Sequence, residues 1–179
     1  VETALKLARR WAYSVKGVPA NEAKILWASE NFHGRTLAIV SASTDPESKE
    51  GYGPFMPGFE VVPYNDAGAI ERAMAEDPTI AAVLIEPVQG EAGVIVPDDG
   101  YLKSVRASCD THGALLIADE IQSGLGRTGK MLAIDHDEVR PDVLILAKAL
   151  SGGVYPGALE NGEGCVFIWC ATRAQARSS

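Results

Sequence analysis

Apolar residues recur along this chain in two rhythms. Over residues 1–16 they fall three or four apart, at Ala4, Leu5, Leu7, Ala8, Trp11, Ala12 and Val15, with Lys6, Arg9 and Arg10 between them. That spacing predicts an amphipathic helix, which Gly17, Pro19 and Asn21 end. Short apolar runs follow at 23–29, 60–64, 80–86, 114–118 and 143–147. They alternate little, as strands buried on both faces of a parallel sheet do. Helices are predicted over 67–75, capped by Asn65 and Asp66, and over 98–112, opened by Asp98 and Asp99 and stopped by Gly113. A short helix is expected at 36–43 and a long ordered loop, rich in Gly and Pro, at 44–58. The alternation of strand and helix predicts an α/β fold, a mostly parallel sheet with helices on both faces.

Two of the runs deliver a charged residue at their carboxyl end: 114–118 leads to Asp119 and 143–147 to Lys148. Ligands of open α/β sheets bind outside the carboxyl ends of the strands. Neighbouring strands would therefore set a carboxylate and an amine on one rim. A lysine amine can condense with the aldehyde of pyridoxal phosphate, and an acid can hold the pyridine nitrogen protonated. The alternative is that both are structural charges at strand ends. The same duality holds nearby. Phe32 is placed to stack on a flat ring or to fill core beneath its loop. Arg35 suits a substrate carboxylate or a surface ion pair. Glu86 and Glu91, after the run at 80–86, reach the same rim or bond loop backbone. Gln122 faces the site or solvent.

The wording around these positions is more specific than any one motif. E-N-F-H-G-R-T, E-P-V-Q-G-E-A-G-V, A-D-E-I-Q-S-G-L-G-R-T-G-K and L-A-K-A-L-S-G-G-V-Y-P follow one another in this order within residues 1–156. Together they resemble the class III, ornithine-type aminotransferases, which are fold type I pyridoxal phosphate enzymes. The resemblance implies pyridoxal 5'-phosphate as cofactor, with Lys148 and Asp119 catalytic and Lys148, Asp119, Gln122 and Phe32 contacting it. It implies Arg35 as the binder of a substrate carboxylate. Glu91 would face the substrate and pair with an arginine beyond this chain. Burial beside cationic groups would lower the Lys148 pKa toward working pH. The implied substrates are a small-molecule amino donor, L-ornithine at its δ-amine, and a 2-oxo acid, 2-oxoglutarate. Acetylornithine or 4-aminobutyrate is the alternative donor, and a non-catalytic truncated product the alternative of another kind. A homodimer is implied for the full-length family, with the loop at 44–58 near the subunit interface.

Charge narrows the partners. A net charge of −8 argues against nucleic acid, which needs clustered Lys and Arg. No apolar run nears the roughly 18–20 residues of a membrane span, so no membrane association is expected. His33, His112 and His136 form no cluster, and Cys109, Cys165 and Cys170 lack paired ligand spacing, so no metal is expected. The odd cysteine count fits a reducing, intracellular compartment, cytoplasmic in preference to the mitochondrial matrix. The opening residues have no initiator Met and no lead-in, which reads as a fragment with any targeting signal out of view. Residues 1–156 read as part of a cofactor-binding large domain. Residues 157–179 read as a poorly ordered, non-homologous tail, from a frameshift, intron read-through or gene-model error. Without the returning strand of its relatives, the sheet is expected to keep an open edge beyond the last run.

Overall fold

The computed structural model describes residues 1–152 and the backbone of the strand at 167–170. Six strands form one sheet: β1 (Lys24–Ala28), β2 (Phe59–Val62), β3 (Ile80–Ile85), β4 (Leu115–Asp119), β5 (Val143–Leu146) and β6 (Phe167–Cys170). Their spatial order is β2-β1-β3-β4-β5-β6. All neighbours pair in parallel except β5 and β6. The helices are α1 (Glu2–Trp11), α2 (Leu37–Ser41), α3 (Pro46–Lys49), α4 (Ala67–Glu76) and α5 (Tyr101–His112).

The sheet is buried on both faces, as its apolar runs require. Alternate residues of each strand feed different cores. Leu26, Val83, Ile85 and Leu116 pack with Ile70 of α4 and Val105 of α5. Ile25, Trp27, Leu84, Ile117 and Ile145 pack with Leu5 and Ala8 of α1. All six residues of β3 are buried, and it lies between β1 and β4. Each fully buried Ile or Leu there contributes about 1.5–3 kcal/mol of apolar burial. The charged face of α1, with Lys6 and Arg10, stays outside.

Several boundaries depart from the pattern-based expectation. The first helix gives way to a wider π turn at Ala12–Lys16, closed by Gly17 in the left-handed region. The helix expected from Asp98 starts instead at Tyr101. Its N-cap is Gly100, at φ 82°, and neither Asp98 nor Asp99 caps it through a side chain. A φ of that sign is strained for residues with a Cβ, which is why a glycine stands there. Asp66 does cap α4, accepting from the Ala69 N–H at 2.8 Å. The loop at 44–58 contains α3, whose N-cap Asp45 accepts from Glu47 N–H. A 3-10 turn at Ala133–Asp137 was not foreseen, because five residues are too few to show a period.

The open edge expected beyond β5 is not there. β6 runs antiparallel along it, with Leu146 opposite Phe167 and Val143 opposite Cys170. The apolar cluster of the tail supplies the backbone partners that β5 would otherwise lack. The remainder of residues 157–179 lies outside the described residues. Among the described residues no helix is long and apolar enough to cross a membrane.

Candidate functional site

The strand order reverses direction at β1: the chain goes from β1 out to β2, then back across to β3. Such a switch point opens a crevice between the loops that leave the two strands. Here a cleft of about 330 Å³ lies at that place, lined by Phe32, His33 and Gly34 of the first loop and Glu91 and Ala92 of the second. Residues of the α2–α3 segment, including Thr44 and Asp45, close its outer side.

The loop after β1 is tied on every side. The Asn31 amide donates to the carbonyls of Ala28 and Ala42 at 2.7 and 3.2 Å. Gln89, from the loop after β3, donates to the Ser29 carbonyl at 2.8 Å. The Phe32 N–H donates to Glu86 Oε2 at 3.0 Å. The fourth tie is His33, whose Nδ1 lies 2.6 Å from Asp119 Oδ2. A carboxylate only accepts, so Nδ1 carries the proton of that bond. The His33 side chain is fully buried and stands edge-on to Trp27, ring centroids 5.0 Å apart. Its Nε2 is buried without a partner in the protein.

Asp119 ends β4 and is 3% exposed, so its two oxygens depend on what the protein supplies. Oδ2 has His33 and Oδ1 accepts from the Ile121 N–H at 3.1 Å. Each oxygen keeps one accepting position. The residue faces β5 in register, Asp119 opposite Ile145. Three residues past Ile145 comes Lys148. The chain leaves the strand through buried Ala147 into a 3-10 turn, and Lys148 adopts φ 46°. A left-handed lysine costs on the order of 1 kcal/mol and is uncommon outside functional turns. Lys148 is exposed, against the burial expected for it. The turn carries it past the buried end of β5.

Gln122 and Glu91 bond each other, Gln122 Nε2 donating to Glu91 Oε1 at 2.9 Å. Arg35 is exposed, with its guanidinium carbon 5.9 Å from the Phe32 ring centre. The structure thus sets five of the six expected residues in three groups along one rim: Asp119 on the buried side, Phe32 with Arg35, and Glu91 with Gln122, while Lys148, the sixth, stands at the end of the neighbouring strand. Sequence reasoning missed His33, which was read only as a lone histidine. Its one signal was its place directly after Phe32, on the strand-end loop. It also missed Glu120. This buried carboxylate accepts from Ser123 Oγ at 2.6 Å, Ala133 N–H at 3.1 Å and Ile134 N–H at 2.8 Å. It thereby fastens the 3-10 turn to the end of β4.

Glu86 is buried, and burial pushes its carboxyl up to about 6 despite the nearby His33 and the Phe32 N–H, which act the other way. Among the described residues no group of three or more His, Cys, Asp or Glu is placed to hold a metal ion.

The family model for aminotransferase class-III matches residues 1–167. The chain belongs to the class III aminotransferases. This family is pyridoxal phosphate-dependent. The mitochondrial ornithine aminotransferase of Rattus norvegicus is 64% identical over 155 residues, which are 87% of this chain and 35% of that protein. The chain therefore spans about a third of the length of that aminotransferase. An ornithine aminotransferase structure from Toxoplasma gondii, described as revealing partial occupancy of PLP at the active site, superposes with TM-score 0.84 at 52% identity, covering 87% of this chain and 36% of that one. An acetylornithine aminotransferase from Elizabethkingia anophelis superposes with TM-score 0.72 at 54% identity, covering 87% and 37%.

Proposed function

We propose that this chain carries the cofactor rim of an aminotransferase that moves the δ-amino group of L-ornithine to 2-oxoglutarate, with pyridoxal 5'-phosphate as cofactor. The observation that carries this reading is the buried Asp119, which ends β4 beside the strand leading to Lys148 and is held by His33. The identity of 64% to the rat ornithine aminotransferase favours ornithine as the amino donor.

The residues fit the cofactor chemically. Asp119 has an accepting position left on each oxygen, so it can take the N–H of a pyridine ring and keep that nitrogen protonated. His33 donates to Asp119, and its own ring is held by packing against the buried Trp27. Its Nε2, like Trp27 Nε1, is buried without a hydrogen-bond partner among the described residues. Phe32 lines the cleft and offers a face for stacking. When bound, pyridoxal phosphate supplies an aldehyde that captures an amine and a ring that takes up the electron pair released at the adjacent carbon. The start of α1 opens on the same rim, with Val1 within electrostatic reach of Asp119. A helix N-terminus there favours a phosphate.

On this reading Lys148 holds the cofactor and then carries a proton to and from the substrate carbon. Arg35 receives a substrate carboxylate in its guanidinium fork. Gln122 contacts the cofactor ring, and Glu91, bonded to it, faces the substrate. A homodimer belongs to the same proposal, supported by exposed Tyr52, Phe55 and Met56 on the α2–α3 side. So does a reducing intracellular compartment, supported by the free, buried Cys109. The Elizabethkingia structure supports a second donor, acetylornithine, on the same rim.

The test is absorbance of the purified chain with added pyridoxal phosphate, for wild type and Lys148→Ala. A band near the visible edge that disappears in Lys148→Ala supports cofactor capture at this lysine. No lysine-dependent band overturns it and leaves a non-catalytic aminotransferase segment. Where the band forms, loss of that band on adding L-ornithine but not acetylornithine decides the donor.

A further inference from the structure

Glu86, directly after β3, holds both loops of the cleft. Its Oε2 accepts the Phe32 N–H at 3.0 Å, in the loop that follows β1. The Gly90 N–H, in the loop that follows β3, also acts on the same carboxylate in favour of its charge. The main-chain oxygen of Glu86 accepts from Tyr64 Oη at 3.1 Å, so the root of the side chain is fixed as well. Glu86 is 4% exposed. One buried carboxylate therefore ties the loop of Phe32, His33 and Arg35 to the loop of Glu91.

Gly90 passes that tie onward. A Cβ placed there would stand 2.6 Å from Gln122 Oε1, so the Gln122 amide rests against the bare Gly90 backbone. Gln122 in turn donates to Glu91, the next residue in the chain. We infer that Glu86 is a positioning residue that sets the distance between the Phe32 wall of the cleft and the Glu91–Gln122 wall. Its consequence for cofactor and substrate rests on the pyridoxal phosphate reading; its geometry does not.

The carboxylate form is what the tie needs. Two accepting oxygens serve two N–H donors, whereas an amide of the same shape has one oxygen and turns an NH₂ toward the other donor. Glu86→Gln is therefore the discriminating variant, since its volume is almost unchanged. The groups that face Glu86 are His33 of the loop after β1, Asp119 of β4 and the Tyr64 phenol after β2.

The experiment reads amide hydrogen exchange by NMR in the cofactor-free chain, then visible circular dichroism after pyridoxal phosphate is added. In Glu86→Gln the Phe32 or Gly90 amide should exchange about tenfold faster or more, while Leu84 and Ile85 keep wild-type rates. The dichroism of the bound ring, which reports its fixed orientation, should weaken in the same variant. Wild-type rates at both amides overturn the proposal. So does unchanged dichroism beside faster amides, which would leave Glu86 a structural tie only. If the wild-type chain takes up no pyridoxal phosphate, the functional reading fails by itself, and the amides alone decide whether Glu86 joins the loops. If Glu86→Gln does not fold, wild type is followed from pH 8 to 5. Loss of protection at Phe32 and Gly90 together, measured against Leu84, supports the tie, and constant protection overturns it.

Discussion

The two halves of the rim are built differently. On the inner half, Asp119, His33, Glu86 and Glu120 are all buried, and each carboxylate is met by at least two donors. On the outer half, Lys148, Arg35 and Glu91 are exposed. The difference follows from desolvation. A buried carboxylate without partners is costly, so this chain must supply them for itself to fold. An exposed side chain has water and carries no such demand. The inner half is thus a property of the fold, while the outer half owes its purpose to what binds there. Substitutions should separate the two: large stability losses inside, and losses of binding without stability change outside.

The largest effect should come from Glu120→Ala. It leaves the Ala133 and Ile134 N–H groups and the Ser123 hydroxyl without their shared acceptor. A loss of about 3 kcal/mol is expected, read as a shift of the urea unfolding midpoint. Asp119→Ala should follow at about 2 kcal/mol, because the His33 and Ile121 donors then lose their acceptor. Lys148→Ala and Arg35→Ala should each lie within about 0.5 kcal/mol of wild type, as exposed positions do. Lys148→Ala should nonetheless remove the lysine-dependent absorbance band. A Lys148→Ala variant as unstable as Asp119→Ala would break the division drawn above.

Acid titration sharpens the contrast within the buried half. The Glu86 carboxyl stands at about 6, above its ordinary 4.5, chiefly because burial disfavours its charge. The folded state therefore holds this proton more tightly than the unfolded chain. Its contribution to stability is complete below the ordinary value and is lost as pH rises through about 6, a loss of about 2 kcal/mol. Asp77, between β3 and α4, has the opposite sign. Burial acts to raise its carboxyl, but bonds from Lys24 and Thr79 outweigh it and hold the group at about 2. Its contribution is present above its ordinary value of 3.8 and is lost as pH falls through about 2. The two windows do not overlap, so urea midpoints taken from pH 4.5 to 7 isolate Glu86. The fall across that range should be absent in Glu86→Gln.

Much of the fold was legible because it rests on patterns that local sequence carries. The apolar runs at 80–86 and 114–118 became β3 and β4 within a residue, since strands buried on both faces admit almost no polar residue. Asp119 and Lys148 stood out because each is the first charge after such a run. Backbone bonding was one reading of Glu86, and the Phe32 N–H bears it out, but the partners of Glu86, His33 and Glu120 were not legible. Each set of contacts includes a bond between residues 13 or more positions apart, up to 86 for His33 and Asp119, and nothing in the neighbouring sequence marks that partner. The start of α5 was misplaced for a related reason: Asp98 and Asp99 are good caps in isolation, but the chain turns at Gly100 instead. Backbone geometry decided there, and side-chain preference yielded.

The seam between the halves is best probed by a mild change, Gly90→Ala. The added methyl would meet the end of the Gln122 side chain, 2.6 Å from Oε1, and little else. A flexible amide can swing aside, so the stability change should stay below about 1 kcal/mol. The swing has a specific consequence. Gln122 can no longer donate to Glu91 at its present place, so Glu91 loses the bond that orients it. Ornithine binding to the cofactor-loaded chain should then weaken, by roughly the fivefold to tenfold that one exposed hydrogen bond is worth. Cofactor uptake should weaken less, because the methyl moves Gln122 alone among the residues expected to contact the cofactor, its nearest atoms all belonging to that side chain. Isothermal titration with each ligand in turn separates the two effects. A Gly90→Ala variant that binds ornithine as wild type does would mean that the Gln122–Glu91 bond is incidental, and that the cleft walls are held apart by Glu86 alone.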